Sequence, residues 1–228
     1  MQRTLLTLAM ALAAGFAGAA AFTFSGLGDR QVENYLVANP EVLQRMVQGL
    51  EAKRAEEKLA RAGNDLRQPF AGAVLGNPEG SHTLIKFTDY NCGYCRASAA
   101  EVQKLIAQDP ELKVIIREWP IFDGSSAVAG LALAATKQGK YEAFHQALFA
   151  GGDTSTAGIA AAAQKVGIDF ERLKRDAADP QIVYELERNT RFAQELGFTG
   201  TPSWIAGNRV IEGAVPADTL AQAIAEGA

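Results

Sequence analysis

Thr83-Leu84-Ile85-Lys86-Phe87-Thr88-Asp89-Tyr90-Asn91-Cys92-Gly93-Tyr94-Cys95 is the stretch whose reading decides the fold. Thr83 to Phe87 predicts a strand, and Cys92-Gly93-Tyr94-Cys95 opens a helical pattern continued by Val102, Leu105 and Ile106 and stopped near Asp109-Pro110. Leu112 to Arg117, rich in β-branched residues, predicts a second strand. Strand, helix and strand within about 35 residues form a βαβ unit, which pairs its strands in parallel in a covered sheet.

Working outward, Val74-Leu75 and the turn Gly76-Asn77-Pro78-Glu79-Gly80 predict a further strand ahead of this unit. Beyond it, from about Ser126 to Leu196, lies an alanine-rich helical stretch. Gly139, Gly151-Gly152, Gly167 and Asp179-Pro180 divide it into four or five helices. After Gly200-Thr201-Pro202, the strands Trp204–Ala206 and Arg209–Ile211 flank Gly207-Asn208, a two-residue hairpin signal, and a last helix follows from about Ala217 to Ala225. The expected class is α/β: a βαβ half and a ββα half, with helices inserted between them at about residues 126–196 of a domain covering residues 69–228.

The chain has 228 residues, 48% hydrophobic and 21% charged, an ordinary globular composition. Its formal net charge is −4 and it has no basic block, so nucleic acid is not an expected partner. Met1-Gln2-Arg3, the uncharged run from Thr4 to Phe24 with Leu5, Leu6, Leu8, Met10 and Leu12 at its centre, and the small residues 17–21 together predict a secretory signal. Its expected extent is residues 1–21, with cleavage near residues 19–21; the alternative is an uncleaved anchor, since about 20 apolar residues span a bilayer. On either reading the rest of the chain lies outside the cytoplasm.

From Asp29 to Ala62 the chain is expected to be helical. Asn39-Pro40 supplies a cap and a first-turn proline, Leu43, Met46, Val47 and Leu50 form an apolar stripe, and Gly63-Asn64 is the stop. Some 35 residues cannot build a core alone, so this face either folds back on its own domain or self-associates through a helical stalk.

Export governs how the two cysteines are read. An oxidising compartment permits structural bridges, yet Cys92 and Cys95 would close a four-residue loop, which constrains the unfolded chain very little. A structural zinc site normally needs two further ligands, and the chain offers only His82, expected in a solvated turn, and His145, expected on a helix face beside Phe144. No metal site and no cofactor are expected. The junction of strand and helix favours redox chemistry instead: unpaired N–H groups and the helix dipole favour a thiolate on Cys92, the nucleophile. Cys95, one turn on and less exposed, resolves the mixed disulfide. Gly93 adds backbone freedom between them, and Tyr94 adds bulk without charge.

Phe87 to Cys95, followed over 100 residues later by Gly200-Thr201-Pro202, resembles the DsbA-like branch of the thioredoxin superfamily. The likeness runs from about Val74 to Ile224 and includes Gly139-Lys140-Tyr141, Phe144-His145 and Leu148-Phe149. It implies a thioredoxin-like fold with a helical insertion, acting on protein disulfides or thiols. It also implies a cis bond between Thr201 and Pro202 facing the dithiol, with the Thr201 backbone free to pair with an extended substrate. The DsbA oxidases typically carry Cys-Pro-His-Cys with valine before the proline, whereas Cys-Gly-Tyr-Cys with Thr201 is typical of DsbC-type isomerases. Residues 29–66, with Asn39-Pro40-Glu41-Val42-Leu43, resemble the oligomerisation segment of the ScsC (suppressor of copper sensitivity) proteins. The resemblance thus implies a periplasmic disulfide isomerase or reductase, assembled as a trimer or dimer and kept reduced by a membrane-embedded partner. A DsbA-type oxidase is one alternative, and a Cu(I)-handling protein with the two thiols as soft ligands is another. Relatives often carry an acid six positions before the first cysteine, where this chain has Lys86. That cation either favours the thiolate by charge attraction or reaches out to solvent.

Overall fold

The computed structural model describes residues 2–25 and 27–227. Met1 and Ala228, which end the expected signal and catalytic segments, lie outside the described residues. Two compact units divide the chain, Met1–Glu51 and Ala52–Ala228.

The first unit holds α1 (Gln2–Phe24), α2 (Leu27–Ala38) and the start of α3 (Pro40–Ala62). The stretch Arg3–Phe24, of mean hydropathy 2.0, is long and apolar enough to cross a membrane by length and composition. Asn39 joins the next two helices. Its side-chain amide donates to the Tyr35 carbonyl at 2.7 Å, and Pro40, having no N–H to leave unpaired, opens α3. Leu43, Met46, Val47 and Leu50 are exposed along α3.

The second unit begins with the other end of α3, where Ala62 is buried and Leu59 packs beside it against Leu66 and the sheet. The helix stops where Gly63 takes φ +72°, a conformation that L side chains rarely adopt. A single turn of 3-10 helix, Asn64–Arg67, leads toward the first strand.

Five strands form one mixed sheet: β1 (Val74–Gly76), β2 (His82–Thr88), β3 (Leu112–Glu118), β4 (Ser203–Ala206) and β5 (Arg209–Glu212), in the order β1-β3-β2-β4-β5. The two strands of the βαβ unit pair in parallel, Lys86 opposite Ile116 and Thr88 opposite Glu118, with α4 (Gly93–Gln108) between them in sequence. The other three pairings are antiparallel. His82 begins β2 rather than sitting in a turn, and its Nδ1 lies 2.7 Å from Asp109 Oδ2. The hairpin β4–β5 turns at Gly207, where φ +58° meets the left-handed requirement of a tight turn.

Between β3 and β4 run α5 (Ser125–Ala134), α6 (Tyr141–Gly151), α7 (Thr156–Lys165), α8 (Phe170–Asp176) and α9 (Pro180–Leu196). Side-chain acceptors cap three of them, on Ser155, Asp169 and Asp179. The last helix is α10 (Ala217–Glu226).

Alternation along the strands sorts the core into two layers. Leu84 and Trp204 belong with Val114 and Ile116 to a cluster shared with α4, α6 and α10. Ile85, Phe87, Ile115 and Ile205 face the other way, onto α9 and Leu66. The second layer carries one buried cation, Arg117, which donates to Glu185 Oε1 at 2.7 Å and Asn189 Oδ1 at 3.3 Å. It also donates to the carbonyls of Asp65, Leu66 and Gln68 at 3.0, 2.7 and 2.7 Å. One guanidinium thus ties β3 to α9 and to the chain leaving α3. Arg117→Ala strands those acceptors in a buried layer, so guanidinium titration of the reduced protein is expected to show a loss of about 3–5 kcal/mol.

Candidate active site

The dithiol sits where β2 hands over to α4. Asp89, buried just past the strand, accepts at Oδ1 from the Asn91 N–H and the Ser125 hydroxyl, both at 2.7 Å. Its Oδ2 accepts from the N–H groups of Ile121 at 2.8 Å and Phe122 at 3.2 Å. One carboxylate therefore clamps the loop ahead of Cys92 to the loop ahead of α5. Cys92 follows as the N-cap of α4, in extended backbone geometry. Its sulfur accepts the Cys95 N–H at 3.3 Å, one of the donors a helix start leaves unpaired. The same sulfur donates its proton to the Thr201 carbonyl at 3.2 Å.

Both cysteines are free thiols. Cys92 is 4% exposed and Cys95 is not exposed at all, the expected order for attacking and resolving sulfurs. The Thr201–Pro202 bond is cis. Cys92, Cys95 and Thr201 therefore lie together, with Lys86 beside Cys95, and Pro202 follows Thr201 across the cis bond. Gly93 and Tyr94 stand outside this group: Tyr94 is 72% exposed, and a side chain at Gly93 would meet open space.

In the dithiol form the Thr201 carbonyl accepts from the protonated Cys92. Of the two readings open for Lys86, reach to solvent is excluded. Lys86 shares strand parity with Leu84 and Thr88 and so points into the layer beneath α4, fully buried. Its ammonium approaches the Cys95 carbonyl at 3.5 Å and lies 5.3 Å from the ring centres of both Phe149 and Trp204. Burial pulls Lys86 down to about 8, resisted by the charges of Cys95, Glu118 and Cys92. Burial pushes Cys95 up to about 11, resisted by the hydroxyls of Thr201 and Thr88 and, more weakly, by Lys86.

Beside Lys86 lies a polar group that the sequence reading missed. Glu118, buried at the end of β3, accepts the hydroxyls of Tyr90 at 2.7 Å and Tyr141 at 2.6 Å on Oε1. Tyr90 also meets His145 Nδ1 at 2.8 Å, and burial lowers that histidine. Glu118 Oε2 has no partner among the described residues. The sequence held a signal for this group. Glu118 has the parity of Leu112, Val114 and Ile116, which face the same layer.

Among the described residues no group of three or more His, Cys, Asp or Glu side chains is placed to hold a metal ion. A nucleophilic sulfur at a helix N-terminus, a buried partner one turn on and a carbonyl across from the first is an arrangement suited to disulfide exchange.

Comparison with known proteins agrees. Residues 83–225 match the DSBA-like thioredoxin domain family, and residues 29–57 match the copper resistance protein ScsC N-terminal domain. A thioredoxin-like oxidoreductase from Silicibacter pomeroyi DSS-3 is 42% identical, covers 72% of this chain and 96% of its own, and superposes with a TM-score of 0.67. Proteus mirabilis ScsC in a transitional conformation is 27% identical, over 86% of this chain and 93% of its own, with a TM-score of 0.66. A periplasmic thioredoxin-like protein from Salmonella enterica serovar Typhimurium is 30% identical, over 71% of this chain and 92% of its own, with a TM-score of 0.62. Among curated relatives, the Na(+)/H(+) antiporter NhaA 1 of Salinispora arenicola is 24% identical over 160 residues, 68% of this chain but 24% of the antiporter. The chain spans about a quarter to a third of the length of the curated relatives it matches.

Two predictions follow from this geometry. Asp89→Ala leaves buried N–H donors unpaired and is expected to cost at least about 2–3 kcal/mol in a urea titration and to slow alkylation of Cys92, with Asp89→Asn milder on both counts. The second concerns pH. The folded value of about 8 for Lys86 lies below its ordinary 10.5, so between them the unfolded chain binds more protons and stability rises with pH. For Cys95, about 11 folded against 9.0, the folded chain binds more protons and stability falls with pH over that range. From pH 8 to 9 the Lys86 effect outweighs the Cys95 effect, which is only beginning, so urea titrations of the reduced protein should gain stability there, and Lys86→Met should remove the gain.

Proposed function

The chain belongs to the DSBA-like thioredoxin domain family, and on that premise we propose that it is a periplasmic protein thiol–disulfide oxidoreductase working as a disulfide isomerase or reductase. The observation that carries this reading is the Cys92 sulfur, held between the Cys95 N–H at 3.3 Å and the Thr201 carbonyl at 3.2 Å. As a thiolate, Cys92 attacks one sulfur of a client disulfide. A Cys92–client bond forms, the client's own bond breaks, and its other sulfur leaves as a thiolate. Cys95 then attacks Cys92, releasing the client reduced and leaving the Cys92–Cys95 disulfide; alternatively, a second client thiol attacks first, and the bond is moved without net oxidation. Loss of the Cys92 proton also releases the Thr201 carbonyl, which becomes available to an extended client backbone. Pro202, having no N–H, makes no competing donation.

Three features favour reshuffling over oxidation. Gly93 and Tyr94 lie between the cysteines, and Thr201 precedes the cis proline, the combination typical of DsbC-type isomerases. Leu43, Met46, Val47 and Leu50 are exposed on α3 within the segment that matches the ScsC N-terminal domain. We assign this stripe to self-assembly as a trimer or dimer, which sets several dithiols around one client. The apolar α1 helix fits an export signal, and the Salmonella relative is periplasmic by name, so the same compartment is proposed here. A membrane-embedded donor would return the disulfide form to the dithiol.

Purified protein is expected to reactivate scrambled ribonuclease. Cys92→Ala should abolish this, and Cys95→Ala should accumulate a mixed disulfide visible on a non-reducing gel. Rapid oxidation of reduced ribonuclease without reactivation of the scrambled form would assign the protein to the oxidases. Truncation before Ala52 spares the Arg117 contacts. By light scattering it should give a monomer that exchanges with small disulfides yet no longer reshuffles ribonuclease. An unchanged molecular mass per assembly would rule out the stalk.

A further inference from the structure

Cys92 must meet a disulfide inside a protein client, yet it is 4% exposed and buried in the same apolar layer as Phe149 of α6. Two segments of the helical insertion meet beside it, at the side chain of Asn91, the residue immediately before it. Asn91 Nδ2 donates to the Asp123 carbonyl at 3.2 Å, in the loop ahead of α5. Its Oδ1 accepts the Thr154 hydroxyl at 2.6 Å, in the turn that joins α6 to α7. We infer that Asn91 is a positioning residue: through these two bonds it latches the insertion against the first turn of α4 and sets how open the Cys92 sulfur is to a client. The inference rests on the thiol–disulfide reading above and adds to it the element that controls access to the nucleophile.

The latch has a fixed side and a releasable one. On the fixed side, Asp89 already holds the loop ahead of α5 through the N–H groups of Ile121 and Phe122 and the Ser125 hydroxyl. The bond to Asp123 therefore orients the Asn91 amide against a loop that is held independently, and so aims Oδ1 at Thr154. The α6–α7 turn is anchored at its other end as well. Arg96, in the first turn of α4, donates to the Gly152 carbonyl at 2.9 Å. A side chain at position 152 would sit 2.7 Å from the Arg96 guanidinium carbon, so this approach requires glycine. A charge-assisted bond at the C-terminal end of α6 is the stronger of the two anchors. The Thr154–Asn91 bond is neutral and solvent-exposed, so exchanging it for bonds to water costs little. The Gly152 end of the turn thus stays seated, and the Thr154 end is the one a client displaces.

Alkylation by iodoacetamide reads this directly, because its rate at Cys92 depends on the thiolate fraction and on access. In the full reduced chain, with the adduct located by mass spectrometry, the rate should rise with pH to a plateau. Between variants that share one inflection, the plateau compares access alone. Thr154→Val should raise the plateau about fivefold, the worth of one exposed neutral hydrogen bond, and leave the inflection where it is. Asn91→Ala keeps the backbone bond to Asp89 and should raise the plateau at least as far. The double variant should go no further than Asn91→Ala, since the two substitutions remove one shared bond. Thr154→Ser retains the hydroxyl and should return the wild-type plateau. Unchanged plateaus in Thr154→Val and Asn91→Ala overturn the latch, even where urea titration shows lost stability, and so does a double variant in which the two increases multiply. A wild-type inflection no lower than that of a free cysteine would count against the thiol–disulfide reading, and the plateaus would still decide the latch.

Discussion

Everything at the candidate site depends on one residue having two positions at once: Cys92 ends the loop after β2 and is also the N-cap of α4. An N-cap side chain ordinarily offers oxygen to the unpaired N–H groups of the first turn. Here it offers sulfur, and the Cys95 N–H that it accepts belongs to the residue whose thiol must later attack it. The geometry that stabilises charge on the first sulfur therefore also fixes the second within one helical turn. The cap holds its direction because Asp89 secures the approach to it with four donors drawn from two loops. A looser approach would leave the sulfur free to turn away from both Cys95 and Thr201.

How much of this was legible in sequence depends on the range of the interaction. The five strands, the helix breaks at glycines and the βαβ pairing follow from periodicity and turn chemistry, which are local, and all were read. The pairing of Cys92 with Cys95 is equally local. Thr201, 109 residues away, was reached through resemblance, since nothing in Gly200-Thr201-Pro202 alone announces a neighbour. Glu118 was missed for a different reason. Its role is made by Tyr90, Tyr141 and His145 arriving from two other elements, and each looks unremarkable in its own segment. Arg117, next to it in sequence, points into the opposite layer and ties the strand to α9 and to Leu66. Two adjacent charged residues at the end of one strand are thus assigned to opposite faces, and only the period of two tells them apart.

Lys86 shows where the sequence did carry the answer. A lysine in a strand invites the assumption that its long stem carries the charge to water. Yet β2 is covered on both faces and its neighbours pair it centrally, between β3 and β4, so neither direction leads out. The alternation Leu84, Lys86, Thr88 placed the ammonium on the layer under α4 from the start.

That placement bears on the direction of electron flow. A cation near the dithiol favours the thiolate, and stabilising the reduced form makes a dithiol pair more oxidising. Gly93, Tyr94 and Thr201 argue for reshuffling; Lys86 argues for a pair that gives up its disulfide readily. The two are compatible, because an isomerase must begin as a dithiol and is better at its task when that form is favoured. Glu118 moderates the effect: its carboxylate lies in the same layer and offsets the ammonium that the sulfurs feel. In this protein the buried charge beside the resolving cysteine is therefore a lysine from one strand balanced by a glutamate from the next.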